Sequence, residues 1–204
     1  MTTPDADYEF TSDWTTNRLP VWRLHVEPLR GLPVRALELG CYEGRASVWF
    51  LQNVLTHPAA TLTVVDTFLG SEESGSPPVD GMLERFQRNI QRTAVAIKVR
   101  VLRCSTVQAL SQLLTEAAVD NLFDLVYIDA SHRADDVITD AVMSFRLLKP
   151  GGLLIFDDYE WELRPSPLDR PKIAIDAFMT IFQRSLSVLH LGYQVLLKKT
   201  VDPS

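Results

Sequence analysis

VRALELGCYEGRASVWFL, residues 34–51, decides the fold. Its first half is a short apolar run with strand character. Its second half sets Val48, Leu51 and, just beyond, Val54 and Leu55 at helical spacing. Between them lies Glu38-Leu-Gly40-Cys-Tyr42-Glu-Gly44, a turn from strand into helix. Glycines in such a turn let backbone approach a ligand closely, and the helix that follows offers unbonded N–H groups. A dinucleotide site would need Gly-x-Gly-x-x-Gly here. Gly40-x-x-x-Gly44 has another spacing, and taken alone it also reads as a tight structural turn.

The same alternation continues outward. Strands are expected at 34–40, 61–66, 97–103, 123–129 and 153–158, and helices at 44–54, 82–93, 106–118, 134–148 and 173–184. FLGSEESGSPPVDG (68–81) and 159–171 read as loops, and Lys149-Pro150-Gly151-Gly152 stops the helix before it. Strands this continuously apolar are buried on both faces, as parallel strands are. LSVLHL and YQVLLKK, separated only by the short turn at Gly192, must pair antiparallel. The expected fold is α/β: a doubly wound, mostly parallel, seven-stranded, Rossmann-like sheet that ends in an antiparallel C-terminal hairpin. The chain reads as a single domain, 1–204, with a core at 33–199 and an N-terminal helical cover at 1–32. In that cover a helix over 14–29 lies on a sheet edge or on the ligand site.

Composition narrows the function. The chain has 204 residues, enough for one substantial core, and 46% of them are hydrophobic. No apolar run approaches the ~18 residues of a membrane span. MTTPDADYEF lacks a basic-then-apolar leader, so a cytoplasmic protein is expected. Cys41 and Cys104 are the only cysteines, which excludes a disulfide scaffold or a Cys-x-x-Cys zinc site. The net charge is −6 and no Lys/Arg block is present, which disfavours nucleic acid and points to a small-molecule partner. A homo-oligomer is compatible with this composition.

The polar residues at the strand ends carry the chemistry. Asp66, followed by Thr67, closes the second strand, where a carboxylate can accept hydrogen bonds from both ribose hydroxyls of a nucleoside. Tyr127-Ile-Asp129-Ala-Ser-His132 closes the fourth strand, and Phe156-Asp157-Asp158-Tyr159 the fifth. Ligands bind beyond the carboxyl ends of such strands. Three carboxylates gathered there repel one another unless a cation sits between them, and Mg²⁺ or a similar hard ion fits Asp129, Asp157 and Asp158. Asp129 can instead contact the cofactor, and one of Asp157 and Asp158 can cap a helix, because adjacent strand residues face opposite ways. His132 is placed to be a general base or simply to open a helix. Trp14, Trp22, Tyr159 and Trp161 can wall an acceptor pocket or pack in the interior.

Together, Glu38 to Gly44, Asp66, Arg103-Cys-Ser105-Thr106, Phe123 to His132, Leu148 to Gly152 and Asp157-Asp158 resemble class I S-adenosylmethionine methyltransferases over roughly 34–199. Within these the chain is similar to small metal-dependent O-methyltransferases of the catechol O-methyltransferase type and to bacterial sugar and natural-product relatives. The resemblance implies S-adenosylmethionine as cofactor, with Gly40 and Tyr42 lining its methionine end, Asp66 at the ribose, Ser105 at the adenine, and Glu38, Gly44 and Thr67 also in the cofactor site. It also implies a divalent metal, Mg²⁺ by preference, on Asp129, Asp157 and Asp158, with Asp129 beside the cofactor as well. His132 falls where the catechol enzyme carries a catalytic Lys, Asp158 where it carries a metal-binding Asn, and Ala46 where a hydroxyl residue is common. The implied activity is O-methylation of a small hydroxylated molecule. A metal-independent methyltransferase and a non-catalytic cofactor-binding protein are the alternatives.

Overall fold

The computed structural model describes residues 7–70, 79–117, 122–163 and 165–201. The strands are β1 (Arg35–Leu39), β2 (Thr61–Val65), β3 (Val99–Leu102), β4 (Phe123–Ile128), β5 (Leu148–Phe156), β6 (Leu186–Leu191) and β7 (Val195–Lys199). They form one sheet in the order β3-β2-β1-β4-β5-β7-β6. The first five run parallel, and β7 is antiparallel to both β5 and β6. The strand order reverses between β1 and β4, which is where open α/β sheets bind ligands. Gly40 and Asp129 lie just past the ends of these two strands.

The helices are α1 (Leu19–His25), α2 (Arg45–Asn53), α3 (Met82–Arg92), α4 (Thr106–Glu116), α5 (Ala134–Leu147) and α6 (Pro171–Ile181). Alternate strand residues feed two cores, as the strand period of two requires. On one face Ala36, Leu62, Val64, Tyr127, Ile155 and Leu196 pack with Trp22, Phe50 and Phe86. On the other, Leu37, Val65, Val126, Leu154, Phe156 and Leu197 pack beneath Leu110, Phe145 and Phe178. The buried Lys199 ammonium donates to the carbonyls of Phe145 and Leu148, which satisfies the end of α5. No helix among the described residues is long and apolar enough to cross a membrane.

Two elements differ from the sequence expectation. The helix expected over 14–29 is three pieces: a 3₁₀ turn at Thr16–Arg18, α1, and a second 3₁₀ turn at Glu27–Leu29. Pro20 and Pro28 sit in the first turns of the last two pieces. A proline lacks the N–H that an uninterrupted helix would need, so the chain restarts at each one. Lys149 to Gly152, expected to lie outside the sheet, belong to β5. The pairing slips there, from Phe123↔Leu148 to Leu125↔Leu153, and the extra residues are taken up as a bulge. Of the loop expected at 68–81, residues 71–78 lie outside the described residues, as do 118, at the end of the expected fourth helix, and 164.

Candidate active site

A cavity of about 940 Å³ opens over the carboxyl ends of β1, β2 and β4. It is large enough for a nucleoside cofactor together with a small acceptor. Glu38, Gly40, Tyr42, Asp66, Thr67, Ser105, Asp129, His132, Asp157 and Asp158 all line it. Gly44 does not. A Cβ on Gly44 would lie 2.9 Å from the Phe86 ring, and its φ of +82° makes it the left-handed start of α2. Gly44 is thus a packing and turn glycine at the start of α2, between cavity-lining neighbours. Gly40 lines the cavity, but its missing side chain serves the protein interior. A Cβ there would fall 1.9 Å from the Asp129 carbonyl oxygen, so the crossing of the two chain segments demands glycine.

Two acids, Glu38 and Asp66, line the cavity beside the turn after β1. Glu38 is fully buried, bonded by the Ser47 hydroxyl on Oε2, while its Oε1 has no hydrogen-bond partner among the described residues. Burial, and secondarily the nearby Asp66, push its carboxyl up to about 8. An orphaned buried acceptor in the wall of a cavity suits a ligand ammonium, such as the one at the methionine end of S-adenosylmethionine. Asp66 Oδ2 accepts the N–H groups of Cys41 and Tyr42, and Oδ1 accepts that of Phe68. A carboxylate has about four acceptor positions, so capacity for a hydroxyl remains. Ser105 caps α4 in a capping box with Gln108, so its hydroxyl is first of all a helix cap.

A second group of polar residues follows β4 and β5. Asp129, His132 and Asp158 each offer one ligand atom, and these atoms lie within 4.8 Å of one another. Opposite ligands of an octahedral Mg²⁺ stand about 4.2 Å apart, so two carboxylates and an imidazole at this spacing fit a divalent ion. His132 Nε2 is 2.9 Å from Asp158 Oδ2, and the imidazole is stacked on Trp161 with centroids 4.4 Å apart. Asp129 accepts the Tyr127 hydroxyl at 2.9 Å. Its carboxyl is pushed well above the usual range, by burial first and then by Asp157 and Asp158.

Asp157 lines the cavity beside Asp129 and Asp158 and is engaged by the N-terminal segment. Its Oδ1 is taken by Arg18 and Gln194. Asp157 thus ties the N-terminal segment to the residues after β5, while Asp158, beside it in the cavity wall, pairs with His132. Burial pushes the Asp157 carboxyl up to about 6, helped by Asp158 and opposed by Arg18.

The N-terminal segment completes the cavity. Phe10, Ser12, Trp14, Thr15 and Arg18 line it, and Trp14 packs against Tyr42 with ring centroids 5.2 Å apart. Trp161 also lines the cavity, as a wall residue should. Trp22 is fully buried, and Tyr159 is buried with its hydroxyl donating to Asp176, so neither serves as a wall. Arg18 and Tyr193 are site residues that sequence reasoning missed. Neither stands in a motif, and the only available hint was the position of Tyr193 in the turn of the final hairpin.

A family model described as a methyltransferase domain matches residues 37–159. The fold is shared with an O-methyltransferase from Bacillus cereus in complex with SAH, at a TM-score of 0.68 and 17% identity, covering 93% of this chain and 84% of that one. It is shared with TomG, an O-methyltransferase from Streptomyces achromogenes in complex with SAM, at a TM-score of 0.65 and 18% identity, covering 89% and 80%. MycE, a methyltransferase of the mycinamycin pathway solved with Mg, SAH and mycinamycin VI, gives a TM-score of 0.60 and 17% identity, covering 97% of this chain and 52% of that one. At these identities the likeness is one of fold. No curated protein gives a significant match.

Proposed function

Because the chain belongs to the methyltransferase domain family, we propose that it transfers the methyl group of S-adenosylmethionine to a hydroxyl of a small molecule, with a divalent metal assisting. Acceptors of this kind include sugars, phenols and natural-product intermediates. One observation carries the reading: a single cavity brings together Glu38, whose Oε1 has no partner among the described residues, Asp66, and the cluster of Asp129, His132 and Asp158. The net charge of −6 favours a small acceptor over a nucleic acid.

Methyl transfer is an in-line displacement, so the acceptor oxygen must be aligned with the methyl carbon and relieved of its proton. Glu38 and Asp66 would fix the cofactor. Trp14 and Trp161 would wall the acceptor. A divalent ion held by Asp129, His132 and Asp158 would lower the pKa of the acceptor hydroxyl.

A metal-free reading is favoured by one specific contact, the 2.9 Å pair of His132 and Asp158. A carboxylate that orients an imidazole makes it a stronger base, and His132 would then take the acceptor proton itself.

The test is direct. Calorimetry should show one S-adenosylhomocysteine site per chain that NAD does not contest. Labelled methyl should pass from S-adenosylmethionine to members of a panel of hydroxylated acceptors. NAD binding without S-adenosylhomocysteine binding would remove the proposal.

A further inference from the structure

Glu43 stands in the turn between β1 and α2, beside Tyr42, and is only 1% exposed. Its carboxylate grips the N-terminal segment. Oε2 accepts the Thr11 N–H at 2.6 Å, and Oε1 accepts the Thr11 hydroxyl at 2.8 Å together with the Arg85 guanidinium of α3. The single proton of the Thr11 hydroxyl goes to Glu43, so at the 2.8 Å contact with Tyr42 the phenol donates to Thr11. The fully buried Asn89 adds a second tie. Its amide nitrogen donates to the carbonyls of Glu43 and Glu9, and its oxygen accepts the Glu9 N–H. Residues 8–15 form no helix or strand, so these ties fix their place where no backbone ladder does.

We propose that Glu43 is a positioning residue for methyl transfer: by gripping Thr11 it holds residues 10–15 as a wall over the cofactor turn, and S-adenosylhomocysteine enters or leaves only when Thr11 lets go. The inference rests on the cofactor reading. Phe10, Ser12, Trp14 and Thr15 line the same cavity as Gly40, Tyr42 and Asp66. The segment that Glu43 grips and the turn to which Glu43 belongs therefore face one space. The grip is local. Beyond Thr11, the segment is held by half-buried side chains, by Asn89 and Arg45, and by the exposed pairs of Glu9 with Arg88 and Arg92, which contribute little. Breaking a doubly bonded, buried carboxylate contact is thus the main cost of lifting the wall, and Glu43 sets how often it lifts. Where such a segment covers a site, its opening can limit product release and so turnover.

The experiment is stopped-flow mixing of the protein with S-adenosylhomocysteine, read by tryptophan fluorescence, which gives association and dissociation rates separately. A gate multiplies both rates by the fraction of time it stands open. Glu43→Gln should therefore raise both by about tenfold or more and move the dissociation constant by less than about threefold. Thr11→Pro removes both Thr11 donors, leaves Glu43 paired with Arg85, and should do the same. In the Thr11→Pro background, Glu43→Gln should add less than about twofold, because the contact through which it acts is already gone. Amide exchange at Glu9 should quicken in each variant. If neither single variant associates faster, Glu43 contributes to affinity at most, and the inference falls while the cofactor reading stands. If the two effects multiply in full, Glu43 does not act through Thr11 and the inference falls in the same way. If the wild type binds no S-adenosylhomocysteine, the cofactor reading and the inference fall together.

Discussion

Asp66 Oδ2 accepts the backbone N–H groups of both Cys41 and Tyr42, at 2.9 and 3.1 Å, so the end of β2 is tied to the turn that follows β1. Tyr42 has a φ of +50°, a conformation that a non-glycine residue adopts only when its surroundings hold it there. The acid proposed to meet a ribose is therefore also the latch that shapes the turn beside it. Preorganisation of this kind lets a site bind without first paying to order its loop.

Asp66→Ala removes the latch and the charged acceptor in one step. A hydrogen bond to a charged group contributes roughly 1.5–3 kcal/mol, so S-adenosylhomocysteine binding should weaken by about 10- to 150-fold. Titration calorimetry measures this directly. An unchanged dissociation constant would place the ribose elsewhere. Amide exchange at Cys41 and Tyr42 should also quicken in the free variant, which a ribose role alone would not produce.

Gly40→Ala should be far more damaging than Gly44→Ala. At Gly40 the new Cβ would overlap the Asp129 carbonyl oxygen, which is backbone and cannot turn aside. The overlap and the left-handed φ together should cost about 3 kcal/mol or more. At Gly44 the obstacle is the Phe86 ring, which can shift, leaving chiefly the cost of about 1–2 kcal/mol for the left-handed conformation. Chemical denaturation of both variants would show the ordering, and equal losses would contradict it.

These residues also mark what the sequence made legible. Periodicity and the apolar runs fixed the strands and their order of use, because parallel strands buried on both faces leave a strong local pattern. The cavity lining followed from strand ends, so Asp66, Asp129, His132 and Asp158 could be placed without coordinates. That Gly44 packs against Phe86 was not legible, because a packing glycine and a ligand-facing glycine look alike in one dimension. The Arg18–Asp157 pair could not be foreseen at all, since nothing local links residues 139 apart.

Asp140 offers a pH prediction away from the site. It lies on α5, 1% exposed, with Oδ1 unpartnered among the described residues. Burial, and to a lesser degree Asp136, push its carboxyl up to about 7, against the pull of a hydrogen bond from Thr106. The folded protein thus keeps a proton that the unfolded chain releases above about pH 4. Stability should therefore fall as pH rises from about 4 to 7 and level off beyond, by about 1.4 kcal/mol for each unit of separation. Asp140→Asn keeps an acceptor for Thr106 and removes the titration, so its urea midpoint should depend less on pH and exceed the wild type at pH 8. Parallel pH profiles for the two proteins would show that Asp140 does not hold the proton.

The chemistry of the site comes down to what His132 does beside Asp158. If it helps hold a divalent ion, exhaustive chelation should abolish turnover, Mg²⁺ or Mn²⁺ should restore it, and S-adenosylhomocysteine affinity should survive, because the groups proposed to hold the cofactor, Glu38 and Asp66, are not among the proposed ligands. Asp158→Asn should then be milder than Asp158→Ala, since an amide oxygen still ligates. His132→Ala should lower kcat by roughly 10²- to 10⁴-fold in either case, because it removes a ligand in one account and the general base in the other. Chelation separates the two. A chelated wild type that keeps full activity, alongside a slow His132→Ala, would leave the imidazole oriented by Asp158 as the base. A chelated wild type that is inactive and rescued by Mn²⁺ would make the same imidazole a ligand, and its pairing with Asp158 the arrangement that the ion displaces.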